Sequence, residues 1–205
     1  MLESPLVKLT RLCNSISSDP QILSELQTEV ESNPSDKIIT SMIKKSLKQT
    51  DLAGIGMIDE VLPLCFQTGT ITEIDLFGSA SLGIKCFFMS AGTYFPLHDH
   101  PNALVATAVL YGNVKYLLLD KTSRPDKLKF SKKAAGKPGD VMFNTLKYRN
   151  VHSILALEDS VILDIFMHNV NEPGNFYKVL KYEKDCKEFL VQQDDHEEEN
   201  KSQLT

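Results

Sequence analysis

The chain has 205 residues, 42% hydrophobic and 24% charged, which bounds it to one globular domain with at most a short appendage and excludes wholesale disorder. Its net charge of −5 arises entirely from Glu183 onward, where eight acids meet three lysines, so residues 1–182 are neutral. A neutral body with an acidic tail argues against a nucleic-acid binder, and the longest largely apolar run, Ala103 to Leu110, interrupted only by Thr107, is strand-sized and too short for a membrane span.

Residues 1 to about 50 read as helices. Leu6, Leu9, Leu12, Cys13 and Ile16 recur at helical spacing. Ser18-Asp19-Pro20 then supplies a cap and a proline at the first position of a second helix, with Ile22, Leu23, Leu26 and Val30 on one face. That helix stops near Asn33-Pro34. A third is expected from Ser35 or Asp36, carrying Ile38, Ile39, Met42, Ile43 and Leu47. The start of the chain, Met1 to Thr10, shows no basic end followed by an apolar core, so no secretory signal is expected.

From about Ile71 the pattern changes to short apolar or alternating runs, predicting strands near 71–77, 83–89, 104–111, 113–120, 141–144, 151–157, 161–168 and 176–182. Tyr111-Gly112-Asn113-Val114 reads as a hairpin turn. Lys121 to Lys137, with seven lysines or arginines, reads as a solvated basic loop, and the end of the chain as a disordered acidic tail. The expected organisation is a helical segment over 1–55 packed on a β-barrel domain over 56–185, with the tail over 186–205. The cysteines Cys13, Cys65, Cys86 and Cys186 lie far apart with no C-x-x-C pair and read as reduced thiols. A cytoplasmic protein is expected, with a nuclear pool left open.

Two of the five histidines lie in His98-Asp99-His100, just before Pro101. On a strand, residues i and i+2 share a face, so an H-x-H pair aims two imidazoles at one point, as cis metal ligands require. Imidazole alone does not choose among iron, zinc, copper and nickel. Gly92 stands six positions before His98, Gly112 follows His100, and Pro138-Gly139-Asp140 precedes His152 at the start of an apolar strand. This order resembles the cupin superfamily, jelly-roll barrels that hold one metal inside, and the resemblance makes His152 a third ligand; the plain alternative is a core or surface histidine. Many cupins add a glutamate four or five residues after the second histidine, where this chain has Leu104 and Val105.

Ser81-Leu82-Gly83-Ile84-Lys85-Cys86, Phe95-Pro96-Leu97-His98-Asp99-His100-Pro101, Val109-Leu110-Tyr111-Gly112, Asn150-Val151-His152-Ser153-Ile154 and Leu163-Asp164-Ile165 together resemble one family, that of cysteamine (2-aminoethanethiol) dioxygenase and the plant cysteine oxidases. The resemblance covers roughly residues 60–182. It implies a mainly β cupin fold, Fe(2+) held by His98, His100 and His152, and the addition of O2 to cysteamine or to an N-terminal cysteine of a peptide. It further implies a monomer, with Asp164 engaging the substrate amine and Tyr177 matching the second tyrosine of a family Cys-x-Tyr-Tyr stretch. The pattern departs at Gly174 and Phe176, which take the places of that cysteine and the first tyrosine, and at Ala108, where a lysine is usual. A cupin-fold binding or regulatory protein that holds a metal or none and has no thiol dioxygenase turnover, and a cupin enzyme of another chemistry, are the rival readings. His168 reads as structural or surface and His196 as a solvated tail residue.

Overall fold

The computed structural model describes residues 3–32, 37–56, 62–66, 69–168, 174–185 and 187–194. Three helices come first: α1 (Pro5–Ser17), α2 (Pro20–Ser32) and α3 (Ile38–Leu47). Ser4 caps α1 by accepting from the Val7 N–H at 3.3 Å, and Pro5 follows where its missing N–H costs nothing. Asp19 caps α2, accepting from the N–H groups of Gln21 and Ile22 at 2.9 and 3.2 Å. Lys37, ahead of α3, makes no side-chain cap; instead Glu29 of α2 accepts from the N–H groups of Ile39 and Thr40 at 2.9 and 2.8 Å. The expected cap at Ser35 or Asp36 lies outside the described residues. None of the described helices is long and apolar enough to cross a membrane.

The strands are β1 (Ile71–Gly78), β2 (Leu82–Met89), β3 (Tyr94–Asp99), β4 (Leu104–Tyr111), β5 (Val114–Lys121), β6 (Lys127–Gly136), β7 (Val141–Asn144), β8 (Val151–Ala156), β9 (Ser160–Met167), β10 (Phe176–Glu183) and β11 (Glu188–Asp194). They form a five-stranded sheet, β1-β2-β9-β4-β7, and a closed set of six, β10-β11-β6-β5-β8-β3, giving the mainly β barrel architecture with N-terminal helices that the sequence leads one to expect. Strands β2, β4 and β9 are buried along nearly their whole length because both their faces are covered. Leu9, Cys13, Ile16, Leu26 and Ile43 of the helices meet Ile84, Cys86, Phe88 and Ile165 on the outer face. Phe87, Met89 and Ile162 meet Tyr116, Leu118 and Ile154 on the inner one. Burial on both sides is why these strands read as continuous apolar runs and not as alternation.

Three expectations are corrected. Lys121 to Lys137 is not a loop: 127–136 form β6, paired with β5 on one side and β11 on the other. Its lysines alternate with Leu128 and Phe130, which pack with Leu119, Val191 and Phe189. The tail expected from 186 contains β11, and the two charge runs meet there, Lys127 Nζ lying 2.8 Å from Glu188 and 3.3 Å from Glu183. Residues beyond 194 lie outside the described set. Gly112-Asn113 is not a hairpin turn either, because β4 pairs with β7 and β9 while β5 pairs with β6 and β8. The chain crosses there between sheets. Gly112 takes a φ of 72°, and a Cβ at that position would collide with the Asp159 carbonyl oxygen.

Candidate metal centre

Strands β3 and β8 pair antiparallel with His98 directly opposite His152, the register at which two side chains on one face come closest. His100 stands one residue past the end of β3. The ring centroids are 4.4 Å (His98–His152), 4.8 Å (His98–His100) and 5.3 Å (His100–His152) apart. One ligand atom from each of the three lies within 4.8 Å of the others, and this is the cluster of potential metal ligands among the described residues. The Nε2 atoms of His98 and His100 are 3.1 Å apart. That is the separation of two cis ligands each about 2.1 Å from a shared ion.

The protonation pattern suits a metal. Burial pushes the His98 imidazolium down to about 4, against the opposing pull of the Pro96 carbonyl and Asp99. Burial also holds His100 and His152 well below the ordinary value, helped by the neighbouring histidines and, for His100, by Lys85. All three are therefore neutral at pH 7. His98 Nδ1 lies 2.8 Å from the Pro96 carbonyl, to which its N–H donates, so the lone pair is on Nε2. His152 Nδ1 lies 2.9 Å from the Asn144 amide, while His152 Nε2 and Asn144 Oδ1 are both buried without a partner. With the amide oriented so that Oδ1 accepts from Nδ1–H, the oxygen is satisfied and Nε2 offers its lone pair to an ion. The orphaned nitrogen is what a bound cation would satisfy.

Among the described residues, no carboxylate joins this cluster. Asp99 stands between two of the histidines and is 1% exposed, but it is engaged elsewhere. It accepts from the Asn175 backbone and side-chain amides (3.1 and 2.9 Å) and the Tyr177 hydroxyl (2.6 Å), and pairs with Lys121. Tyr177 thus does not join the histidines; its neighbour Phe176 does, with its ring 5.7 Å from that of His98. A Cβ on Gly174 would collide with the Asp99 carbonyl oxygen, so the cysteine usual in the resembled family could not fit here without a shift.

Asp164 is buried in β9, in register with Lys85 of β2 and Thr107 of β4. Phe166, two residues on and therefore on the same inward face, makes an edge contact of 5.0 Å with His100. Burial raises the Asp164 carboxyl to about 7, with Glu73 adding to the rise and Thr107 opposing it, and its Oδ1 has no partner. Cys86 faces the helical layer, where burial pushes its thiol up to about 12. His168 is exposed in a left-handed turn (φ 68°), and His196 lies outside the described residues.

Sequence reasoning missed Asn144 and the aromatic collar of Phe95, Phe166 and Phe176 around the imidazoles. A polar residue ending the apolar run Val141-Met142-Phe143 was the available signal for Asn144. The whole is a neutral three-imidazole face, buried at His98 and His152 and half-buried at His100, able to hold a divalent transition metal while leaving positions open to other ligands.

Among solved structures, the chain is similar to an RmlC-like cupin protein from Desulfovibrio desulfuricans (18% identity, 50% of this chain and 86% of that one, TM-score 0.40). It is also similar to KdgF from a Halomonas species (21%, 50% and 82%, 0.40). A conserved protein with a double-stranded β-helix domain from Klebsiella pneumoniae gives 13% identity, 54% and 81% coverage and a TM-score of 0.44. No curated protein matches the chain significantly. The family model PCO_ADO matches residues 65–204.

Proposed function

Because the chain belongs to the PCO_ADO family, that of the plant cysteine oxidases and cysteamine dioxygenase, we propose that it is a non-haem iron thiol dioxygenase acting on cysteamine or on the N-terminal cysteine of a peptide. In the reaction RSH + O2 gives RSO2H: the O–O bond breaks, two S–O bonds form, and sulfur surrenders the four electrons that reduce the oxygens, so no further reductant is needed. The observation that carries this reading is the neutral three-histidine cluster with no carboxylate in it.

His98, His100 and His152 would hold the iron. When bound, Fe(2+) supplies Lewis acidity toward a thiolate and redox capacity toward O2. The chain supplies the rest. Neutral imidazoles leave the ion its full charge to attract an anionic sulfur. Phe95, Phe166 and Phe176 exclude water around it. Asp164, a buried carboxylate with an unpartnered oxygen, would take the substrate ammonium, which favours its charged form and offsets the cost of its burial. We take the protein to act as a cytoplasmic monomer.

The test is to purify the protein without oxygen, measure its metal, and incubate it with cysteamine and with an N-terminal-Cys peptide. Iron near one per chain, oxygen uptake and a product heavier by about 32 Da are expected for at least one thiol. A second reading, a metal-binding cupin without turnover, draws support from Gly174 and Phe176 standing where the family has a cysteine and a tyrosine. Iron without product on either thiol would establish it, and protein without any metal would sink both.

A further inference from the structure

Between α2, α3, β6 and β7 lies a cleft of about 720 Å³. That size suits a small organic ligand. Its floor includes Leu118, Met142 and Phe143, and around it stand five cations: Lys37, Lys44, Lys48, Lys132 and Arg149. Two acids, Glu31 and Asp140, also line it.

The two signs of charge differ in what they already do. Glu31 accepts from the Thr145 hydroxyl at 2.6 Å and from the Gln27 amide at 2.9 Å, and Asp140 accepts from the Lys137 N–H at 3.1 Å. None of the five cations enters an ion pair among the described residues. Arg149 is held in a left-handed backbone conformation (φ 54°) by its N–H bond to Asp120, and its guanidinium lies 4.4 Å from the Tyr148 ring centroid. Its Nε is nevertheless buried with no hydrogen-bond partner. Five like charges around one cavity repel, and an anion in the cleft relieves that repulsion.

We propose that this cleft binds a small organic anion bearing phosphate groups, of the nucleotide class. The half-buried Val30, Met142 and Tyr148 take the organic body, and the lysines and the guanidinium take the phosphate oxygens. An acidic peptide fits less well, because it offers carboxylates but no planar body for the floor. None of the three histidines lines the cleft, but Leu118 is the β5 register partner of His152 and Met142 stands two residues before Asn144 on β7, so an occupant would rest beside that imidazole and its amide partner. The inference does not depend on the dioxygenase reading.

Calorimetric titration of the full chain with ATP, inorganic phosphate and an oligoglutamate peptide at fixed ionic strength tests it. ATP should bind saturably at one per chain, more tightly than inorganic phosphate. The double variant Lys44→Glu/Lys132→Glu, at exposed positions, should weaken ATP binding by at least about tenfold, and Lys44→Arg/Lys132→Arg should retain it. Lys48→Glu gives an independent reading should the double variant melt abnormally. Absence of saturable ATP binding, equal binding by both charge-reversed proteins, or binding of oligoglutamate in place of ATP would each overturn the proposal.

Discussion

His152 is fully buried, and the orientation of its ring rests on one side chain, Asn144. His98 differs, because its Nδ1 partner is the Pro96 carbonyl, which no substitution removes. Asn144→Leu should therefore free one imidazole while leaving the other two in place. The expected result is a folded protein whose affinity for Co(2+) or Fe(2+) falls by about 10- to 100-fold in an anaerobic titration. An unchanged affinity would mean that the amide does not set the ring. Asp164 yields a prediction of a different kind. Its carboxyl is raised from an ordinary 3.8 to about 7 in the folded chain, chiefly by burial. The folded state therefore keeps a proton that the unfolded state releases, and stability is present below the unfolded value and lost as pH rises through the folded one. Metal-free Asp164→Asn should escape that loss: its melting temperature should exceed the parent's by a margin that widens from pH 4 to pH 8. On the proposed function the same variant should also lose turnover of thiols carrying an ammonium.

At the scale of the element, α3 owes its start to its neighbour. Glu29 is buried, which by itself would raise its pKa, but the N–H groups of Thr40 and Ile39 outweigh burial and hold the carboxyl below its ordinary value. The resulting stability is present above that ordinary value, near 4.5, and is lost as pH falls through the lower folded one. Glu29→Ala should cost about 1–2 kcal/mol at pH 7, and less at pH 3, in urea unfolding. A difference independent of pH would rule out a charged cap. This capping also shows where sequence reading stops. The caps of α1 and α2 are local; α2 was legible with its cap and stop, and α1 by its periodicity alone, while the cap of α3 comes from a residue about ten positions back. The H-x-H pair was legible because i and i+2 share a face. Its closure by His152 depends on the β3–β8 register, a long-range pairing that only a motif resemblance could suggest. β6 and β11 were read as solvated loop and tail because they lie within charge-rich runs, four of the ten β6 residues being lysines and β11 both beginning and ending on an acid, and their alternation carries meaning only once the two strands lie side by side.

In the whole molecule, the helices are a wall of the fold. The five-stranded sheet turns Phe87, Met89 and Ile162 into the barrel and Ile84, Cys86, Phe88 and Ile165 outward. An outward apolar face of that kind is stable in water only when covered, and Leu9, Cys13, Leu26 and Ile43 cover it, with α1 packed on β2 and β9. The same strands carry Asp164 and, through Phe166, the wall against His100, so the layer that never touches the site supports its back. Leu9→Ala or Ile43→Ala, each at a fully buried position, should cost about 2–5 kcal/mol while leaving the stoichiometry of bound metal unchanged. Removing residues 1–50 should go further, giving a chain that self-associates on size-exclusion chromatography through the bared sheet. A monomeric truncation with the parent's melting temperature would show instead that the barrel stands without its helices.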